Sequence, residues 1–340
     1  MQRRILQALF ALIALGCGWG VYASQTSRPE VTIKVAFLAG VNDEDNLGAL
    51  AFKRYVETRA GDRVRVDVYP AGQFCGNERE CIEGLQSGML EVHQTTIGGL
   101  AALLPEAQVI DLPYALESDA IARCVLDGPL VEDIRQAILD RGYGMRLMAV
   151  GDTGGWRAFG STNKPIRTPT DLERLKIRTT PSALEQEMVR ELGAFPTPLP
   201  FSEVYTALGY GMLDGVKNSP QDMTGQKFEE HIKHVLIDRH AYMAALWWYS
   251  QRRWDALPND LKPIVAEGMA ELARATRQAA ADREQPALAA IVAAGGEVHT
   301  PTPEERAQFV AATTGVREWY AGKYGRDWLD RLDGAVARCR

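Results

Sequence analysis

Apolar and polar residues alternate over Val31 to Ala39 and again through the VRVDV run of Arg63 to Tyr69, which is the period of a strand. Leu47 to Arg59, between them, carries apolar residues at helical spacing. A helix over Glu78 to Ser87, a strand around Leu90 to Thr95 and a buried run from Val109 to Leu116 follow, then two short helices and a strand over Gly144 to Val150. This repeated order predicts a mostly parallel sheet covered by helices on both faces. A second sheet is expected after Gly154 and Gly155, with a strand over Trp156 to Ser161, a turn at Lys164 and Pro165, and a short helical turn at Thr170 to Leu172. Val235 to Met243 and Leu246 to Tyr249 read as strands crossing back to the first lobe. From Asn259 a helical pattern runs to about Ala294 and stops at Gly295 and Gly296, with Pro286 expected to kink or break it. A helix of that length can lie across both lobes.

Residues 175 to 220 are the densest part of the pattern, with strand, helix, strand, helix and strand in succession. Arg178 closes a short strand, Phe201 opens a helix after Pro198 and Pro200, and Asn218 ends the strand LDGVKN. Each stands at the end of an element, so the three can converge at one rim of a sheet. In open α/β sheets that rim is where ligands bind.

Composition narrows the setting. Arg3 and Arg4 precede an apolar run from Ile5 to Leu15, and Val21-Tyr22-Ala23 offers small residues where a signal peptidase reads. The expectation is export, with residues 1–23 as a signal peptide; the other reading is a lipoprotein leader acylated at Cys17. Losing the leader removes two arginines and no acid, moving the net charge from −6 to −8. Such a chain has no electrostatic case for nucleic acid and must hold an anion with a few placed arginines. Four cysteines remain, which fits an oxidising compartment. Asn77 as N-cap and Glu80 three residues later start a helix between Cys75 and Cys81, whose disulfide would staple the first turn. Cys124 with Cys339 would tie the C-terminal tail to the first lobe. Free buried thiols are the other reading for both pairs.

Catalytic signatures are not found in the sequence: there is no GxSxG, HExxH or P-loop, and Gly151 to Gly155 lacks the GxGxxG spacing. His231 and His234 are three apart and face one way if helical, but with no third ligand evident they read as a solvated helix face. His93 reads as a satisfied structural histidine. No metal and no cofactor is expected.

The segments GQFCGNERECIEGLQSG, LPYAL, NKPIRTPTDLERLKIRT, LGAFPTPLPFSEVYTAL and LDGVKN, in this order and with natural spacing, resemble the solute-binding proteins of TRAP transporters, the DctP-type extracytoplasmic receptors. The resemblance runs from about residue 31 to residue 320. It implies a two-lobed α/β fold of the periplasmic-binding-protein type (class II), with hinge strands and a long lobe-spanning helix. It further implies a periplasmic, monomeric receptor that closes on a small organic acid and delivers it to the small and large membrane subunits of a permease. An exported sensor partner, or an enzyme acting on a small organic acid, is the alternative. The expected boundaries are 24–154 with 244–285 for lobe I, 155–243 with 286–315 for lobe II, and 316–340 for a helical tail packing back on the lobes.

Carried over residue by residue, the resemblance makes Arg178 the partner of the ligand carboxylate, a task suited to a guanidinium because its fork donates two parallel hydrogen bonds. Asn218 matches a donor to the same carboxylate or an adjacent hydroxyl, and Phe201 an aromatic cover. Arg157 matches a second arginine, or faces the opposite side if the strand is shifted by one residue. Trp156, Thr95 and Thr96 stand where the lobes should face each other, placed to supply stacking and hydroxyl donors, with a structural β-branched role as the favoured reading of the two threonines. Lys217 departs from the glutamate that many relatives carry before the asparagine. It either favours a second acidic group on the ligand or points to solvent, since neighbouring strand residues face opposite ways.

Overall fold

The computed structural model describes residues 28–340, so the leader, its cleavage point and Cys17 lie outside the described residues. In chain order the strands are β1 (Val31–Ala36), β2 (Val64–Tyr69), β3 (Val92–Thr95), β4 (Met145–Trp156), β5 (Ala158–Ser161), β6 (Lys176–Thr179), β7 (Phe195–Pro198), β8 (Gly215–Asn218), β9 (His234–Leu236), β10 (Tyr242–Ser250) and β11 (Glu297–His299). They form two sheets, ordered β2-β1-β3-β10-β4 and β11-β9-β5-β8-β6-β7.

Both sheets are mixed where the alternating pattern predicted mostly parallel pairing. β1 runs parallel to β2 and β3, but β10 is antiparallel to β3 and β4. In the second sheet β6 is parallel to β7 and β8, while β5 is antiparallel to β8 and β9. The antiparallel strands are those by which the chain leaves one sheet and returns to it. It leaves the first sheet at Arg157, between β4 and β5, and returns over residues 237–241, between β9 and β10. These crossings touch: Trp156 is in register with Tyr242, and Arg157 N donates to Ala241 O at 2.9 Å. The strand expected over Val235 to Met243 is therefore two strands in different sheets, separated by a turn in which Arg239 has a φ of 53°.

The helix Leu261–Ala293 runs through Pro286 without a break. A proline at this point removes one backbone donor. Pro286 and Asp282, whose carbonyl loses that partner, are both exposed, so water can replace the lost bond. The helix packs on the helix Glu44–Ala60 and β4 at one end and on the helix Pro220–Gly225 and β11 at the other, spanning both sheets. Trp247 and Trp248 are fully buried in the cores on opposite faces of β10.

Both cysteine pairs are disulfide-bonded, Cys75 to Cys81 and Cys124 to Cys339. The first sits beside the capped start of the helix Glu78–Ser87, where Asn77 Oδ1 accepts from Glu80 N at 3.1 Å. The second fixes the last helix, Asp327–Cys339, against the helix Asp119–Leu126. His231 follows a 3-10 turn and His234 opens β9, so the two do not share a helix.

Candidate ligand-binding site

A cavity of about 60 Å3 lies between the two sheets. The first sheet and its connections supply Leu38, Ala39, Asp45, Glu78, Gln94 and Thr96 to its wall. The second sheet and its connections supply Arg178, Thr180, Phe201, Asn218 and Asp222, and the crossing segments add Thr153, Arg157 and Met243. The lobes approach closely here, since a Cβ added to Gly98 would stand 2.3 Å from Thr180 Oγ1. A larger groove of about 720 Å3 opens between residues 112–117 and the C-terminal helices. It has no comparable set of buried, converging donors, so the small cavity is the candidate site.

Three donors share one end of the cavity. Arg178, 6% exposed at the end of β6, gives Nε and Nη2 to Leu199 O at 3.1 and 2.9 Å, which leaves Nη1 without a protein acceptor among the described residues. Its guanidinium lies 5.5 Å from the Phe201 ring centroid, a cation–π contact that also fixes its plane. Asn218 accepts from Arg157 Nη1 through Oδ1 at 3.2 Å, leaving its amide free to donate. Arg157 also donates Nη1 to Lys217 O at 3.1 Å and Nη2 to Glu185 Oε1 at 3.3 Å, while its buried Nε has no partner. Burial pushes the Arg178 guanidinium down to about 10, because a charged group out of water lacks solvation. An anion in the cavity would restore it.

Behind this end lies an ion network. Lys217 is 2% exposed, and its Nζ meets Glu185 Oε2 at 2.6 Å. Burial disfavours the Glu185 carboxylate, but Lys217 and Arg157 together outweigh it and hold the group well below the usual range. Lys217 has burial against it and shares its one close anion with Arg157, so it falls to about 8. Asp111, also buried, is raised to about 7.

Acids line the cavity too, and Asp222 lies within Coulombic reach of both Arg157 and Arg178. Asp45, in the first turn of the helix Glu44–Ala60, is wholly buried; its Oδ2 accepts from Thr153 Oγ1 at 2.8 Å and its Oδ1 has no partner. Asp222 comes from the opposite lobe, on the helix Pro220–Gly225. Burial raises both, and the surrounding carboxylates add to the rise. Glu78 joins the wall but is occupied by His93, whose Nε2 lies 3.0 Å from Glu78 Oε2 while its Nδ1 lies 2.8 Å from Ala36 O.

Arg157, Arg178, Phe201, Asn218 and Thr96 thus line one cavity. Two expected residues do not. Trp156 turns away on β4 and donates Nε1 to Asp119 Oδ1 at 2.8 Å, and Thr95 Oγ1 accepts from Trp248 Nε1 at 2.8 Å. The period of the strand explains both, since their neighbours Arg157 and Thr96 take the inward positions. Lys217 follows neither expectation, being outside the cavity wall and also out of solvent. The sequence reading missed Asp45, Asp222 and Glu185. Acids in a helix's first turn are ordinarily cap and dipole chemistry, and only the meeting of two lobes turns these into cavity walls. The run Asp43-Glu44-Asp45, at the start of the helix that follows β1, was the available signal.

Comparison with known proteins agrees with this architecture. The pattern of the bacterial extracellular solute-binding proteins, family 7 (DctP), matches residues 38–323. The C4-dicarboxylate-binding periplasmic protein DctP of Rhodobacter capsulatus is 30% identical over 339 residues, 99% of each chain. The 2,3-diketo-L-gulonate-binding periplasmic protein YiaO of Escherichia coli is 26% identical, covering 82% of this chain and 83% of its own. A crystal structure of a TRAP periplasmic solute-binding protein from Sulfurospirillum deleyianum with bound succinate superposes with a TM-score of 0.86 at 28% identity, covering 90% of this chain and 99% of that one. The chain belongs to the bacterial extracellular solute-binding protein family 7, and its fold is the two-lobed one of the TRAP periplasmic receptors.

Proposed function

We propose that this protein is the periplasmic receptor of a TRAP transporter, capturing a small organic acid by its carboxylate and presenting it to the permease's small and large membrane subunits. One observation carries the reading: Arg178, Arg157 and Asn218 bring unpartnered donors to one cavity between the lobes. A carboxylate there completes Arg178 and accepts from Asn218, with the Phe201 ring as cover. The ligand touches both lobes, so it favours the closed arrangement over an open one, and Arg157 and residues 237–241 are the crossings about which the lobes move. The work of the chain in this reading is binding, not chemistry. The relatives named above are recorded with small organic acids, succinate, C4-dicarboxylates and a diketo sugar acid among them, which supports the class of ligand.

The test is a thermal melt of the exported protein, stripped of co-purified ligand by unfolding and refolding, against organic acids and their neutral amides. An acid present at 100 times its dissociation constant stabilises the native state by about 2.7 kcal/mol and raises the melting temperature by a few degrees. Shifts confined to carboxylates support the receptor reading, and a refolded protein that responds to none of them refutes it.

A further inference from the structure

We infer that the ligand is a zwitterion, a small amino acid or similar molecule whose carboxylate sits on Arg178 and Asn218 and whose cationic group sits between Asp45 and Asp222. The inference rests on the organic-acid reading above and adds the chemistry of the ligand's other end.

Two buried carboxylates line the cavity from opposite lobes without adequate partners. Asp45 is 0% exposed and has only the Thr153 hydroxyl, on one of its two oxygens. Asp222 is 4% exposed, and its carboxylate accepts no hydrogen bond from any described residue; only its backbone is engaged, its N donating to Ser219 Oγ at 3.0 Å and its O accepting from Gln226 N at 3.0 Å. Glu78, the third acid of the wall, is satisfied by His93. Arg157 lies within Coulombic reach of Asp222 but spends its donors on Asn218, Lys217 O and Glu185, and Arg283, 2.9 Å from Glu44 and 3.9 Å from Asp43, does not line the cavity.

An ordinary structural role does not account for this pair. A helix's first turn favours an acid, but a solvated one, and Asp222 belongs to a different helix. Buried carboxylates with open acceptor sites are costly unless something donates to them. An ammonium supplies three donors and the opposing charge, so one group can serve both aspartates. A hydroxyl supplies one donor and no charge. A second carboxylate would require these acids to keep their protons, whereas an ammonium pairs with them ionised, so the same geometry favours the ammonium over a diacid. Lys217 does not rescue the diacid, because Glu185 engages it outside the cavity wall.

Calorimetric titration of the stripped protein with a four-carbon series separates these ligands: butanoate, 3-hydroxybutanoate, succinate, 3-aminobutanoate, 4-aminobutanoate and butylamine. The expected result is an amino acid bound at least about tenfold tighter than butanoate, 3-hydroxybutanoate and succinate, as a close charge pair out of water provides. Asp222→Asn and Asp45→Asn should each bring amino and hydroxy acid to within about twofold of one another, with a melting curve confirming that each variant folds. Succinate or 3-hydroxybutanoate binding as tightly as the better amino acid overturns the proposal while leaving the organic-acid reading intact. So does hydroxy-acid binding that rises with added sodium or calcium chloride, which would put an inorganic cation on the aspartates. If no carboxylate of this series or of the thermal-melt library binds, the organic-acid reading falls and the zwitterion with it.

Discussion

Arg178 holds Leu199 O with two of its nitrogens and keeps the third for the cavity, so it is anchored and reactive at once. Arg178→Ala should weaken carboxylate binding by about 1.5 to 3 kcal/mol, the cost of removing the charged partner of a buried ion. Titration with the tightest acid reads this, and unchanged affinity would remove Arg178 from the site. Arg178→Lys should recover little, since one ammonium cannot keep both Leu199 O and the ligand. Lys217 behaves differently because its partner is internal. Lys217→Met leaves the buried Glu185 with Arg157, at 3.3 Å, as its one close cation beside the Thr180 N–H, and the expected loss is about 3 kcal/mol of stability in urea denaturation. A loss below about 1 kcal/mol, the scale of a solvated surface pair, would mean that the buried pair contributes nothing special.

At the scale of elements, what the sequence revealed and what it hid follow from one distinction. Arg178, Asn218 and Phe201 were legible because each lies at an element's end, and the motif order gives those ends. Trp156 and Thr95 lie outside the cavity wall while their neighbours Arg157 and Thr96 line it, because one position on a strand is the difference between two faces. Asp45, Asp222 and Glu185 were hidden because their meaning depends on elements from separate parts of the chain being brought together. The same holds for Pro286, whose cost depends on which side of the helix meets water. The disulfides offer an element-level test. Cys75 and Cys81 close a short loop, worth about 2 kcal/mol on the chain-entropy account, whereas Cys124 and Cys339 are 215 residues apart, worth up to about 5 kcal/mol. Cys339→Ser with Cys124→Ser should therefore lower the melting temperature more than Cys75→Ser with Cys81→Ser. The reverse order in matched thermal melts would show that local clamping of the helix Glu78–Ser87 outweighs the tie between the tail and the first lobe.

For the whole molecule the acidic end of the cavity is a term in closure. Asp43, Glu44 and Asp45 lie on the first lobe, Asp222 faces them from the second, and Arg283 on the long helix is their cationic neighbour. Burial raises Glu44 to about 7, with Arg283 opposing and Asp43 adding to the rise. A carboxyl raised on closure favours the closed form at low pH, where it is protonated in either state. That advantage is lost as pH climbs through the raised value, because the closed form must then hold a buried charge. The unliganded protein should therefore be more closed at pH 5 than at pH 8, with the change running upward from the ordinary carboxylate range and levelling off above about pH 7. Glu44→Gln should flatten the response, since an amide carries no titrating charge. Small-angle scattering of the stripped protein reads this as a radius of gyration that grows with pH. A radius that is constant, or that shrinks as pH rises, would exclude the carboxylates as the force that holds the empty lobes apart. A ligand whose positive group occupies Asp45 and Asp222 should suppress the pH response, because it supplies the charge that the cluster lacks.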